Sequence, residues 1–482
     1  MRNGSLPPAP QGLPLIGNLL DIPTKEVYRV FAQWKQLYGD ICSVTVFGTS
    51  TIIINSPSIA NDLFTKRGAI YSDRPSFPMA SLSGWKEVIV MLTYGERFRS
   101  QRRMVYDIMG NRARVKDFAH IMEAEAQSCA QRLLEQPDDF QKPVRRAIFA
   151  SILMMTHGYK VKGDGDRLAK DADEVTEQLE HLLTPGKFLV DTLPFLEYLP
   201  SWLPGGHFKQ TAREWKHALV ALTEEAYSFT QRQMASGTAP LSFVSKNIEG
   251  RSLSEEDHWN VQWAASSIFT GGTDSPISAL TSFMLAMVLY PDVQRKAHEE
   301  LDRVIGGDRL PRLADREQLP YISALVKELV RWAPGTPLGA PHRNTEDDSY
   351  MGYFIPKGTT LVANLWGFMH DPEIYPDPME FNPDRYFEAK DRPTQPDPYE
   401  FAFGYGRRAC PGTHLADAII FVFISTILSV YNVETYVNKA TGIAETPKAE
   451  FRGAILTAPK PFKATVIPRS PQAKALLGYL GE

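Results

Sequence analysis

The 482-residue sequence has only three cysteines, Cys42, Cys129 and Cys410, and none lies near another along the chain. So sparse and odd a set argues against a disulfide framework and against a structural zinc site, and points to a reducing environment for the folded domain. Basic residues are not in excess: 52 Lys and Arg stand against 56 Asp and Glu, a formal net charge of −4. No nucleic-acid partner is expected, because nothing in that balance would neutralise phosphates. No run reaches the roughly 18 to 20 apolar residues that span a bilayer; the best candidate, residues 418–431, is too short and reads as a buried helix. A secretory leader and an internal repeat are also missing. The 33 glycines and 36 prolines are scattered as turn punctuation and form no low-complexity linker.

What is present is a globular composition, 43% hydrophobic and 22% charged, in a chain long enough to bury a large core. Residues 1–20 form a stiff, proline-rich lead-in, with Leu6-Pro7-Pro8-Ala9-Pro10 followed by Gly12-Leu13-Pro14. Such a segment usually joins something upstream to a domain, and the expectation is a membrane anchor ahead of it. Residues 41–47 and 51–55 are β-branched runs split by Gly48 and Thr49, which predicts a hairpin. Helical periodicity covers residues 26–38, and Ser56-Pro57 predicts a short helix that Gly68 ends. From about Gly95 to Ala235 the chain reads mostly as helices. Ser254 and Asp257 form a capping box opening a helix that runs to Tyr290, roughly 50 Å at 1.5 Å per residue. Pro291 opens another helix, closed by Gly306-Gly307, and Pro320 one that runs through Trp332. Short strands, an irregular stretch and a last helix after Gly412 complete one mainly α domain, 1–482, with a small β part.

The segment Phe403-Gly404-Tyr405-Gly406-Arg407-Arg408-Ala409-Cys410-Pro411-Gly412 sets a lone cysteine directly before that helix. Unpaired N–H groups and positive potential at a helix N-terminus favour a thiolate. Pro411 has no N–H, so Gly412 and Thr413 are the expected donors, and Arg408 suits a carboxylate. For an isolated cysteine, a buried structural thiol beside a glycine turn fits equally well.

The whole segment resembles the haem-binding signature Phe-x-x-Gly-x-Arg-x-Cys-x-Gly of the cytochrome P-450 family at every fixed position: Phe403, Gly406, Arg408, Cys410 and Gly412. The resemblance extends over essentially the whole chain and, in Pro383-Asp384-Arg385-Tyr386, is nearest to fungal microsomal members. It implies the cytochrome P-450 fold and a haem b (iron protoporphyrin IX) held by Cys410, whose thiolate pushes electron density to iron and favours O–O cleavage. Phe403 would pack on the ligand side and Arg408 would meet a propionate. The implied activity places one atom of dioxygen into a C–H or C=C bond of a lipophilic small molecule. Electrons would come from NADPH through NADPH-cytochrome P-450 reductase, at the cytosolic face of the endoplasmic reticulum membrane, in secondary metabolism or xenobiotic oxidation.

Glu328 and Arg331 share a helix face, but Glu26/Arg29, Glu96/Arg99 and Glu300/Arg303 have the same spacing, which alone reads as a surface ion pair. The resemblance singles out Glu328 and Arg331, joined by Arg385, as the structural set that holds the cysteine loop. On the long helix, Ala264, Ala265, Ile268, Gly271, Gly272 and Ser275 form a stripe of mostly small residues, suited to a flat partner or to close helix packing. Here the family's motif corresponds to Gly271-Gly272-Thr273-Asp274-Ser275-Pro276, with Asp274 and Ser275 implied to relay protons. Ser275 departs from threonine and loses a rotamer-restraining methyl. Pro276 removes the bond to the Gly272 carbonyl and predicts a kink.

Around Arg97, Arg99, Arg102 and Arg103, the family usually has Trp-x-x-x-Arg. Phe98 replaces the tryptophan, while Arg102 matches the arginine and is the implied propionate partner, with His342 a second candidate or a surface residue. The four arginines are either a solvated face or a docking surface for the reductase. Implied substrate walls are residues 76–90, the long helix, 336–340 and 453–456. Residues 188–208 read as an entry lid touching the membrane or as a core connection. Two rival functions stand beside oxygenation: a haem-thiolate isomerase or dehydratase needing no external electrons, and a non-catalytic haem sensor or carrier.

Overall fold

The structure, a computed structural model, describes residues 4–23, 25–137, 139–163, 165–182, 184, 186–390, 393–453 and 455–478. Its axis is the helix Glu255–Leu289, 35 residues long, started by the Ser254 hydroxyl accepting from the Asp257 amide at 3.1 Å. Glu96–Met109, Gln141–His157 and Thr413–Val430 pack along it, and Ala119–Glu135 packs against the last two. One apolar core runs through all five. Pro291–Val304 and Pro320–Trp332 begin at their prolines, as the sequence indicates, because a first-turn proline sacrifices no helical hydrogen bond.

The β part is small. Ile41–Val46 and Thr49–Ile54 form an antiparallel hairpin closed by Phe47-Gly48, both at positive φ (47° and 80°), so the turn lies one residue earlier than expected. Thr49–Ile54 pairs in parallel with Thr360–Ala363, which in turn pairs with His342–Arg343. A bridge between Asp73 and Arg343 then ties this sheet to the segment before the long helices. Residues separated by about 270 positions are thereby brought to one place.

Two expectations need correction. Gly68 does not end a helix: Pro57–Ala60 runs into a π-helical turn, Asn61–Lys66, and Gly68 opens Gly68–Tyr71. The buried Gly68 has ordinary negative φ and lies within 3.8 Å of Arg407 where its Cβ would be, so close packing explains it, not a left-handed stop. The long helix is continuous through Pro276, as expected, with the proline buried within it. The apolar segment before the last strands extends over all of Thr413–Val430, with mean hydropathy 1.9. Among the described residues it is long and apolar enough to cross a membrane, but 78% of it is buried within the fold, as a core helix is.

Candidate active site

The cysteine loop is shaped by close approach. Gly404 and Gly406 have φ of 74° and 56°, and a Cβ on Gly406 would lie 2.2 Å from the Phe64 carbonyl oxygen. The Cys410 amide closes the loop by donating to the Phe403 carbonyl at 2.7 Å. The Gly412 N–H is directed at the Cys410 sulfur, and the nearby Thr413 hydroxyl donates to the Cys410 carbonyl at 3.0 Å. Yet burial pushes the Cys410 thiol up, and these donors and the Arg102 charge offset only part of that. The expected helix-terminus effect is present and outweighed by desolvation, so a thiolate here calls for a cation bound at sulfur. The residue keeps accessible surface although the protein around it desolvates its thiol. Gly271 is exposed in the middle of the otherwise well-packed long helix, and a Cβ there would meet no atom within 4 Å.

Positive charge gathers beside this loop. Arg102 is half-buried, makes no hydrogen bond or ion pair among the described residues, and feels the charge of Cys410. Arg408 is buried, donating to the carbonyls of Ser72 at 2.7 Å and Leu92 at 2.6 Å, with its guanidinium 3.8 Å above the Phe98 ring. Phe98 therefore serves as a platform for Arg408. Arg74, which the sequence reading missed, donates to the carbonyls of Val90, Ala340 and Pro341. Burial and the neighbouring Arg408 push it down to about 9. Nothing local in Asp73-Arg74-Pro75 signals this, because its acceptors come from two distant segments. His342 is buried, stacked on Phe64 at 4.0 Å, and pushed down to about 3 by burial, Arg74 and Arg408. Its Nδ1 donates to the Tyr71 carbonyl at 2.7 Å, which fixes the tautomer of the imidazole that burial and the two arginines keep neutral. The neighbouring acid, Asp73, is committed to Arg343 and the Tyr94 amide. This cluster has more buried cations than anions, which favours a ligand with carboxylates.

Glu328 and Arg331 are fully buried and bidentate, at 2.8 Å for both bonds. Arg385 adds a third charge at 2.9 Å, while Tyr386 and the Asn382 amide fill the remaining acceptor positions of Glu328. Arg331 and Arg385 both also donate to the Glu380 carbonyl, so the set fixes the chain leading to the cysteine loop. The equally spaced Glu26 and Arg29 form a half-buried pair with Arg29 over the Trp366 ring, and Glu300 accepts from the amides of Tyr321 and Ile322.

On the long helix, the Ser275 hydroxyl donates to the Gly271 carbonyl at 3.2 Å. Burial pushes the adjacent Asp274 carboxyl up to about 6, against the pull of Arg145. Asp274 thus has a proton affinity near neutrality, suited to proton transfer. The expected walls converge on this helix. Ser267 accepts from the Ile89 amide at 2.9 Å, and the Thr457 amide donates to the Gly335 carbonyl at 2.9 Å. Ser278 donates to the Thr457 carbonyl. Residue 454, within the expected C-terminal wall, lies outside the described residues. In the 188–208 segment, Leu189, Phe195, Tyr198 and Trp202 are exposed, so those side chains are not part of a core connection.

Residues 7–466 match the family model for cytochrome P-450. Cytochrome P-450 monooxygenase claR of Ampulloclitocybe clavipes is 43% identical over the whole of this chain and 90% of its own length. Cytochrome P-450 monooxygenase 208 of Postia placenta is 40% identical over 99% of this chain and 93% of its own. Cytochrome P-450 monooxygenase ppsD of Aspergillus oryzae is 37% identical over 99% and 91%. With this match, the mainly α fold and the cysteine loop, the chain belongs to the cytochrome P-450 family, whose cofactor is haem, and is a monooxygenase of that family.

Proposed function

We propose that the protein inserts one atom of dioxygen into a lipophilic small molecule, and that Cys410 would hold haem b through its iron. The observation that carries this reading is an accessible Cys410 at the start of Thr413–Val430 beside a buried cation excess. Arg102, with no partner of its own, and Arg74 and Arg408, whose carbonyl bonds leave their charge uncompensated, would receive the two propionates. His342, neutral with its N–H given to Tyr71, would stack beside them and is not a donor in that state. Phe403, Gly406 and Gly412 shape the loop, and Gly271 would leave room on the long helix, while Gly272 packs towards Ile152. When bound, the haem iron supplies the reduction and cleavage of dioxygen. Asp274 holds and releases a proton, and the Ser275 hydroxyl, resting on the Gly271 carbonyl, passes it on. Glu328, Arg331 and Arg385 keep the loop in register.

Electrons would come from NADPH through a cytochrome P-450 reductase docking on the exposed Arg99, Arg103 and Arg407. Exposed Leu189, Phe195, Tyr198 and Trp202 support a position at the endoplasmic reticulum membrane. The names of the relatives above carry no substrate, and a role in fungal secondary metabolism rests on the resemblance. Reduced protein under carbon monoxide should show the red-shifted Soret band of thiolate ligation, and Cys410→Ala should lose it. An unshifted band in the parent protein refutes the assignment.

A further inference from the structure

The Asp274 carboxyl is buried, and its Oδ2 has no hydrogen-bond partner. Its Oδ1 lies 3.9 Å from Arg145 Nη1, beyond hydrogen-bond reach. Arg145 projects from Gln141–His157, which packs along the long helix. A third helix, Arg167–Leu182, holds it: Nε and Nη2 both donate to Asp173 Oδ1, at 3.0 and 2.8 Å. Nη1, the nitrogen nearest Asp274, makes no hydrogen bond among the described residues. Glu180, on the same helix as Asp173, adds negative charge felt by both Arg145 and Asp274. Arg145, Asp173 and Glu180 are the charged groups facing Asp274 from its neighbours.

We infer that Arg145 is a positioning residue shared between two carboxylates, Asp173 holding it back from Asp274 so that Asp274 retains a proton for turnover. If Asp173 lets go, Arg145 pairs with Asp274 and stabilises its ionised form. The travel required is about 1 Å, from the observed separation to ordinary hydrogen-bond length. No electron moves: Asp274 releases H⁺ to the neighbouring acceptor, Arg145 remains a cation beside the carboxylate, and solvent water returns the proton. Because Asp173 rides on a different helix from both partners, any shift of Arg167–Leu182 relative to the long helix changes the proton affinity of Asp274. The inference rests on the reading that Asp274 handles a proton in turnover.

The test is the titration of the Asp274 carboxyl in the haem-loaded protein, followed by difference infrared spectroscopy against Asp274→Asn. Asp173→Asn should lower its apparent pKa by about 1 to 3 units, as for an Asp gaining an Arg partner. Arg145→Gln should raise it, and in the double variant the lowering by Asp173→Asn should shrink to the part owed to the lost Asp173 charge alone; a lowering of undiminished size overturns the inference. Shifts in one direction for both single variants, or no shift for either, overturn the inference. Asp173 and Arg145 are each more than a third exposed, with side-chain exposures of 49% and 39%, so neither is a core residue. Should Arg145→Gln lose haem, Asp173→Asn alone decides. If the titration moves as described while the pH dependence of substrate oxidation does not follow, the pairing stands and the proton-relay reading fails.

Discussion

Glu328 shows how little spacing means at the level of one residue. Four Glu/Arg pairs three apart occur in this chain, and the set built on Glu328 is the one in which both side chains are fully buried and joined by a third charge. Removing the acid leaves two guanidiniums in the core without their anion, a loss of about 3 to 5 kcal/mol. Glu328→Ala should therefore yield protein without haem, checked by the haem-to-protein absorbance ratio; a normal ratio refutes the structural role. Cys410 was legible because its pattern is local, whereas Glu328, Arg331 and Arg385 stood out only through the family resemblance. Arg74 was not, because a side chain bonded to three carbonyls from residues 90, 340 and 341 leaves no trace in neighbouring sequence.

Among the elements, the long helix is the common reference for the expected substrate walls. The Ser267 hydroxyl accepts from the Ile89 amide and donates to the Trp263 carbonyl, pinning residues 85–92 to the helix. Arg74 and Arg408 grip the same stretch through the Val90 and Leu92 carbonyls. Ser267→Ala leaves the Ile89 amide without its acceptor, a local cost of about 1 to 3 kcal/mol. The expected outcome is faster amide exchange at Ile89 and a roughly tenfold rise in KM, with the carbon monoxide spectrum unchanged. Ser267→Thr, which keeps the hydroxyl, should restore both. Helix starts were readable from Ser254, Pro291 and Pro320 because capping is local chemistry. The extent of the long helix through Pro276 was readable as well, because the capping box at Ser254 and the proline at 291 bound it.

For the whole molecule, the distribution of apolar surface is the informative quantity. The most apolar helix is inside, while Trp202 and Tyr198 are 80% and 86% exposed. A monomer exposes such large side chains together where another apolar phase meets them. Replacing Phe195, Tyr198 and Trp202 together by serine should lower partitioning of this chain onto phospholipid vesicles by about tenfold or more, leaving the melting temperature unchanged; equal partitioning refutes the membrane-facing assignment. At this scale the net charge of −4 was a poor guide, since it gave no hint that cations would gather beside the cysteine loop.

Sequence alone determined the helix starts and the mainly α class, because these depend on chemistry between near neighbours along the chain; the ligand candidate and the residues implied to carry protons followed from motifs that resemble the family's. Tertiary structure alone decided the proton affinity of Asp274, the neutrality of His342, the service of Phe98 under Arg408 and the recruitment of Arg74. Those properties are set by burial and by charges from other helices, and the distance between such groups is fixed only when the chain has packed.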